Sequence, residues 1–600
     1  MVYPSDYENK TGFDRIRAQV RGKCTTDGGR ALLDGEGFSA SAGEIAHRLS
    51  LCSELQEILM LESGFPLQED TDIGPVARKI EVAGTFLDIE DMIALRAGLG
   101  AVNEITAFLA AKEEGRYPVL RGLAQGVESF PEITGHIDTI LDRYGKIKDS
   151  ASRDREGQVS KRLQAILSKA QKDGYADADA AVSIRDGRAV IPVSAANKRK
   201  INGFIHDESA TGKTFYIEPV EIVEINNELK ELEYAERREV VRILTAFTDR
   251  IRPDAPGIAR AGEYLACMDM IRAKARWAAE NDCVKPVLSE EGTLWLRPAR
   301  HPLLRQTLAR EGKQVVPLDL KLDRGRRMLV ISGPNAGGKS VCLKTVGLLQ
   351  YMFQCGFPVP VLENSEFPVF DGIFIDIGDE QSIDNDLSTY SSHLLNMKHM
   401  LAGAGSGSLV LIDEFGSGTE PVIGGAIAEA ILERFVETGT YGVITTHYSN
   451  IKYFAGSHEG VENGAMMFDV QNIRPLFRLQ MGEPGSSFAV EIARKIGLPA
   501  QIIDAASRKA GSDHINLEKQ LRDIARDRRY WEQKRDRIRI TDRKVEELEQ
   551  TYARQLADIK QERNRILHEA REEARALVAE ANKQIENTIR GEGDDALRPP

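Results

Sequence analysis

Cysteine is scarce and scattered. The 600 residues hold six, at Cys24, Cys52, Cys267, Cys283, Cys342 and Cys355, with no C-x-x-C spacing among them. That pattern argues for buried reduced thiols, against a disulfide framework or a cysteine-ligated metal. No apolar run approaches the roughly 18 residues that a membrane span requires. The segment from Met1 to Glu8 has neither a basic stretch nor an apolar one, so no secretory signal is read there. Positive net charge is lacking too. At a formal −13 the chain is no general binder of polyanions, and any nucleic-acid surface has to be a local patch. These absences predict a soluble, cytoplasmic protein without a membrane partner. The length allows several domains, each with its own core.

What is present centres on the stretch from Ile331 to Ser340. A short apolar run, Met328 to Ile331, reads as a buried parallel strand, and Val341 to Leu349 reads as a helix. Between them Gly333 to Ser340 fits G-x-x-x-x-G-K-S. Gly333, Gly337 and Gly338 let the backbone curl until several N–H groups face one phosphate, helped by the helix N-terminus. Lys339 would reach the β- and γ-phosphates and the Ser340 hydroxyl would ligate Mg²⁺. Pro334, Asn335, Ala336 and Val341 complete the candidate nucleotide-binding set. A ligand-free strand-to-helix turn is the competing reading, and the complete motif with both flanks argues against it.

Two further apolar strands deliver polar groups at their C-terminal ends, where open α/β sheets bind ligands. Ser408 to Glu414 ends in the acids Asp413 and Glu414, and Gly442 to His447 ends in a histidine. Asp413 would hold Mg²⁺ opposite Ser340, and Glu414 would orient and deprotonate the attacking water. His447 would sense the γ-phosphate. Lys339, Glu414 and His447 are the catalytic candidates.

Upstream, residues 1–128 read as a helical scaffold, with apolar residues three and four apart. Residues 129–284 read as two long helices interrupted at about 181–219 by a β-rich insert, with a hairpin turn at Asp186-Gly187. Arg185, Arg188, Lys198, Arg199, Lys200 and Lys213 form a basic set in that insert, suited to phosphate contact. An ordinary solvated hairpin is the plain alternative. Residues 285–510 form the α/β unit. Residues 511–600 read as one long charged helix with an irregular seam (Val545, Leu548, Tyr552, Ile559, Ile566, Leu577), a basic first half and a polar tail.

Gly333-Pro-Asn-x-Gly-Gly-Lys-Ser340, the acidic pair, Gly416-x-Gly-Thr419 and Thr445-Thr-His-Tyr448 together resemble the MutS branch of the ABC-type ATPases. Ala299-Arg-His-Pro-Leu303 and Gly485-Ser-Ser-Phe-Ala-Val-Glu-Ile-Ala493 extend the likeness. Val190-Ile-Pro-Val193, Ile205-His-Asp-Glu-Ser209 and Tyr216-Ile-Glu-Pro219 are similar to the second bacterial MutS paralogue, MutS-two. The resemblance runs from about residue 30 to about 590. It implies an α/β ABC-type P-loop ATPase domain joined to a mostly α-helical core and lever region, a small β-rich clamp insert and a C-terminal long helix or coiled coil. It further implies ATP and Mg²⁺ as cofactors and a homodimer formed through the ATPase domains. Ser388 and Thr389 would then reach the partner subunit's γ-phosphate. Gln381 would serve as the Q-loop residue, and Met466 to Phe468 would pack near adenine.

The implied function is an ATP-dependent clamp on branched or structured nucleic acid, suppressing homologous recombination, or one that splits stalled or collided ribosomes. The mismatch-reading N-terminal domain of other MutS proteins is not recognised, which sets mismatch repair below these as an alternative. Nor is a C-terminal Smr nuclease domain recognised before Pro600, so ATP hydrolysis is expected and nuclease activity is not carried over. An endonuclease subunit is the alternative were such a domain to follow. An ABC transporter ATPase is excluded by the missing Leu-Ser-Gly-Gly-Gln signature. An SMC-like ATPase is excluded by order, since its coiled coil would lie between the phosphate loop and the acidic strand.

Overall fold

Three runs of five consecutive buried residues, Gly372–Asp376, Ser408–Ile412 and Tyr441–Thr445, form the centre of one sheet. Strands covered on both faces read as unbroken apolar runs rather than alternating ones. In the computed structural model the sheet has seven strands: β1 (Val2–Tyr3), β2 (Arg326–Ser332), β3 (Gly372–Asp376), β4 (Ser408–Ile412), β5 (Tyr441–Thr445), β6 (Gly460–Asp469) and β7 (Arg474–Met481). Their spatial order is β1-β3-β4-β5-β2-β6-β7. All pairings are parallel except that of β6 with β7. The structure describes residues 1–62, 64–66, 72–142, 164–169, 171–174, 176–185, 188–378, 389–469, 471–486 and 488–510, then short runs from 534 to 556 and residues 559–587.

The two-residue period of the strands sorts their side chains into two cores. Leu329, Ile331, Ile373, Ile375, Leu409, Leu411 and Val443 face one side. Met328, Val330, Phe374, Val410, Ile412 and Ile444 face the other. Helix Lys339–Gln354 covers the first face with Leu343, Val346 and Leu349. Helices Thr389–Gly403, Pro421–Glu437 and Ser449–Ser457 cover the second with Met397, Met400, Leu432, Phe435, Ile451 and Phe454. Because the strands are parallel, their polar C-terminal residues emerge along one edge.

The first core continues into the helical scaffold. Phe13, Leu33, Leu55, Leu99, Leu265 and Trp277 belong to the same buried cluster as the helix after the phosphate loop. Polar links reinforce it: the Tyr7 hydroxyl donates to the Gly347 carbonyl at 3.0 Å, and the Tyr351 hydroxyl to Glu8 at 2.8 Å. The sequence reading of 1–128 as helical missed β1, which is two residues long and carries no periodicity of its own. Helix Ala255–Glu280 is buried around most of its circumference, polar residues included. Its Asp269 accepts the backbone N–H groups of Thr25 and Thr26 at 3.0 and 2.9 Å and pairs with Arg272 at 2.7 Å. Among the described residues one helix, Ile89–Ala110, is long and apolar enough to cross a membrane by length and composition. Here Met92, Leu95, Leu99, Val102, Ile105 and Leu109 of that helix lie in the core.

The insert is a four-stranded antiparallel sheet in the order Ser183–Arg185, Arg188–Ser194, Thr214–Pro219, Gly203–Glu208, with its own small core of Leu167, Ile191, Val193 and Ile217. Asp186 and Gly187, the expected hairpin turn, lie outside the described residues, as does much of the preceding charged stretch. Helix Val220–Ile251 follows, 32 residues long.

The contact pattern divides the chain at Ser487, with residues 488–600 forming a second unit. It contains helices Ala489–Ile496 and Ala500–Ala510 and the helical stretch 559–587. The seam residues Val545, Leu548, Tyr552, Ile559, Ile566 and Leu577 are exposed.

Candidate active site

The phosphate loop leaves β2 at Ser332, which is fully buried. Gly333 has φ 139°, and a Cβ there would lie 3.1 Å from the Met466 Cβ and 3.2 Å from its carbonyl oxygen. Any side chain at this position would meet both the strained backbone and β6. Asn335–Gly337 form one 3₁₀ turn, Gly338 is left-handed, and the helix starts at Lys339 with Ser340 exposed in its first turn. The loop is braced from the side by Gly485, whose N–H donates to Ser332 Oγ at 2.7 Å. A Cβ on Gly485 would sit 2.5 Å from the Ser332 carbonyl oxygen, so only glycine fits.

Lys339 is 3 % exposed and folds back over the loop. Its ammonium donates to the Gly333 and Pro334 carbonyls at 2.9 and 3.3 Å and to Asn335 Oδ1 at 3.2 Å. Burial lowers its pKa, while Asp413 and Glu414 oppose that shift. The acids, after β4, and the lysine, in the helix after β2, therefore share one electrostatic environment across β5.

The acidic pair is set by a residue the sequence reading did not single out. Thr445, at the end of β5, donates its hydroxyl to Asp413 Oδ1 and accepts the Glu414 N–H at 2.8 Å. The Asp413 N–H in turn donates to the Asp376 carbonyl at 2.9 Å. Glu414 adopts a left-handed conformation, φ 47°, that breaks the strand and exposes its side chain. Non-glycine residues in that region cost energy and gather at sites of function. Partial burial of its ring, with Lys339 and Lys452 nearby, holds His447 below the ordinary histidine range, although Asp413 pulls the other way. Lys452, also missed, donates to the Gly485 carbonyl at 3.1 Å and so ties this corner to the loop's brace.

Beside the loop opens a cavity of about 400 Å³, lined by Ala299, His301, Val341, Cys342, Met466 and Phe477 among others. The histidine is pushed down to about 4, by burial first and by Lys344 and Arg15 after it, so its ring is neutral. Met466, expected near a base, lines the cavity, and both it and Phe468 are buried. Gln381 and Ser388 lie outside the described residues, and Thr389 is the first residue of helix Thr389–Gly403.

The family described as MutS domain V matches residues 329–512, which includes the phosphate loop, the acidic pair and His447. Endonuclease MutS2 of Alkaliphilus metalliredigens is 36% identical over 590 residues, covering 96% of this chain and 73% of that protein. Endonuclease MutS2 of Pelotomaculum thermopropionicum is 37% identical over 548 residues, 90% of this chain and 68% of the relative. That of Halothermothrix orenii is 34% identical over 581 residues, 94% and 72% respectively. The chain belongs to the MutS2 family.

With 96% of this MutS2-family chain covered by one relative, the insert falls inside the likeness. Its six basic candidates separate into two groups. Arg188 is bound inward: Nη1 reaches the Glu218 carboxylate at 2.7 and 3.0 Å and Nη2 reaches Asn227 Oδ1 at 2.9 Å. Glu218 is 1 % exposed and also meets His206 Nε2 at 2.6 Å. Arg185 pairs with Asp207 at 3.2 Å and stacks on the Tyr216 ring. Lys198 lies over the Phe215 ring with its side chain exposed, and Arg199, Lys200 and Lys213 are exposed. Charge counting by itself does not distinguish an inward-paired arginine from an outward one.

Proposed function

We propose that this chain is an ATPase of the MutS type that works as a homodimer and acts on nucleic acid or on ribosomes. The observation that carries the proposal is the Thr445 hydroxyl joining Asp413 to Glu414 at the strand edge that also carries the phosphate loop and Lys339. The loop residues Gly333 to Ser340, with Val341, would hold the phosphates. The largely apolar cavity at Met466, Phe477 and His301, with Lys313 also in its lining, suits the base, being concave and of ligand size. Ser340 and Asp413 offer the hard oxygen donors that Mg²⁺ prefers. The ion, when bound, would neutralise charge on the β- and γ-phosphates. Lys339 would exchange its loop carbonyls for phosphate oxygens, Glu414 would deprotonate the attacking water, and His447 would contact the γ-phosphate. Gln381 stays assigned to the Q-loop role, and Ser388 and Thr389 to the partner's γ-phosphate. Residues 1–128, 129–284, 285–510 and 511–600 remain the proposed division into helical core, lever with clamp, ATPase and C-terminal helix. The endonuclease in the relatives' name is no part of this proposal.

Composite sites make a sharp test. Lys339→Ala chains and Ser388→Arg chains should each be inactive by themselves, because each lesion spoils both sites of a homodimer. A mixed dimer keeps one site with neither lesion, and ATP hydrolysis should reappear on mixing. Mixed dimers that form without hydrolysis would place each site within a single chain.

The insert would grip a phosphate backbone through Lys198, Arg199 and Lys213, three of the four exposed members of the basic set. Reversing these three to glutamate should weaken binding to branched DNA or ribosomes. It should also flatten the salt dependence by about one unit of log–log slope per lost contact. ATP turnover without nucleic acid should persist. An unchanged slope would move the binding surface to the C-terminal helix, where Arg535 and Arg537 are exposed.

A further inference from the structure

Four segments of the chain are linked through Asp376, by its main chain, its buried carboxylate and the side chains bonded to it. Asp376 ends β3 and is 3 % exposed. Its Oδ1 accepts Asn396 Nδ2 at 2.9 Å, and its Oδ2 lies 2.6 Å from His393 Nδ1. Asn396 Oδ1 accepts the Tyr3 hydroxyl at 2.7 Å, which fixes the orientation of the amide. Asp376 is also bonded through its main chain to the Asp413 N–H, as described above. One residue thus connects β1, the strand end bearing the acidic pair, and helix Thr389–Gly403.

His393 and Asn396 are three apart and therefore share a face of that helix. The same helix is held near its N-terminus by a second contact. Gly418, in the loop directly after Glu414, lies so close to Tyr390 that a Cβ would come within 3.5 Å of the Tyr390 backbone. Helix Thr389–Gly403 is thereby placed by directional bonds as well as by the apolar contacts of Met397 and Met400. Burying a carboxylate is costly, and an apolar pair would dock a helix at least as firmly. Hydrogen bonds, unlike apolar contacts, fix the height and rotation of the helix.

We propose that Asp376, acting through His393 and Asn396, is a positioning residue for ATP hydrolysis in the partner subunit. It sets the register of the helix that begins at Thr389 and so decides where that helix end meets the partner's γ-phosphate. The proposal rests on the dimeric reading above.

The test uses Asp376→Asn and His393→Ala in the 600-residue chain. Each should lower kcat about ten- to a hundred-fold, the range for small misplacements of reacting groups. Affinity for a fluorescent ATP analogue and the thermal transition should stay put, which a general loss of structure would not allow. Mixing either variant with Lys339→Ala chains should restore hydrolysis, since the intact site then takes its helix from the Lys339→Ala subunit. Normal kcat in both variants overturns the proposal. So does slow turnover that mixing leaves unrestored while the Ser388→Arg mixture recovers, because the lesion then acts on its own subunit's Asp413. No recovery in the Ser388→Arg mixture overturns the dimeric reading and this proposal with it. If Asp376→Asn loses its thermal transition, His393→Ala decides the matter by the same readouts, since it leaves the carboxylate bonded to Asn396.

Discussion

Replacing Glu414 by glutamine should leave ATP bound and slow its hydrolysis by roughly 10²-fold or more, the usual contribution of a general base. The substitution keeps the size and the hydrogen-bonding reach of the side chain and removes only its basicity. The backbone around it should hold, because the bond from the Glu414 N–H to the Thr445 hydroxyl does not involve the carboxylate. Lys339 and Asp413 keep their places, so phosphate binding persists. Single-turnover hydrolysis beside equilibrium nucleotide binding separates the two steps. A near-normal rate in the glutamine variant would remove Glu414 from catalysis. Thr445→Val is the companion experiment: it leaves both acids and removes the hydroxyl that orients them.

Arg188→Ala should destabilise the insert by about 3 kcal/mol, the scale for stripping one partner from a buried ion pair. The cause is what is left behind. Glu218 is 1 % exposed, and without the guanidinium it retains His206 as the partner described for its side chain. The loss should stay local, because the insert has its own core of Leu167, Ile191, Val193 and Ile217. Hydrogen exchange should quicken across Arg188–Ser194 and Thr214–Pro219, the strands that Arg188 and Glu218 join, while ATP turnover without nucleic acid is retained. Unchanged exchange together with weakened nucleic-acid binding would make Arg188 a phosphate contact instead.

The chemistry of the loop was legible because it is local. A glycine-rich run between an apolar strand and a helix specifies its own turn, and Lys339 and Ser340 follow by adjacency. Asp413, Glu414 and His447 were legible for a related reason: each stands within three residues of the end of an apolar run, and parallel strands present such ends on one edge. The insert's strands were legible from a change of period, from three-to-four to two.

Contacts made across crossovers were not legible. Thr445 had no mark in the sequence beyond standing near His447, and its role exists because β5 lies between β4 and β2. Asp376 reads as a strand end, and the meeting with His393, Asn396 and Tyr3 depends on where a helix and a two-residue edge strand dock. Phe477 reaches the cavity beside the phosphate loop through the antiparallel return of β7 along β6. Arg188 and Arg199 would look alike if charge were all, yet Arg188 turns inward to Glu218 while Arg199 faces solvent. Sequence by itself determined which groups are available and which of them are neighbours along the chain. Tertiary structure alone decided which are neighbours in space, because strand order and helix docking are settled by the burial of two apolar faces and not by the polar residues that those faces carry to the edge.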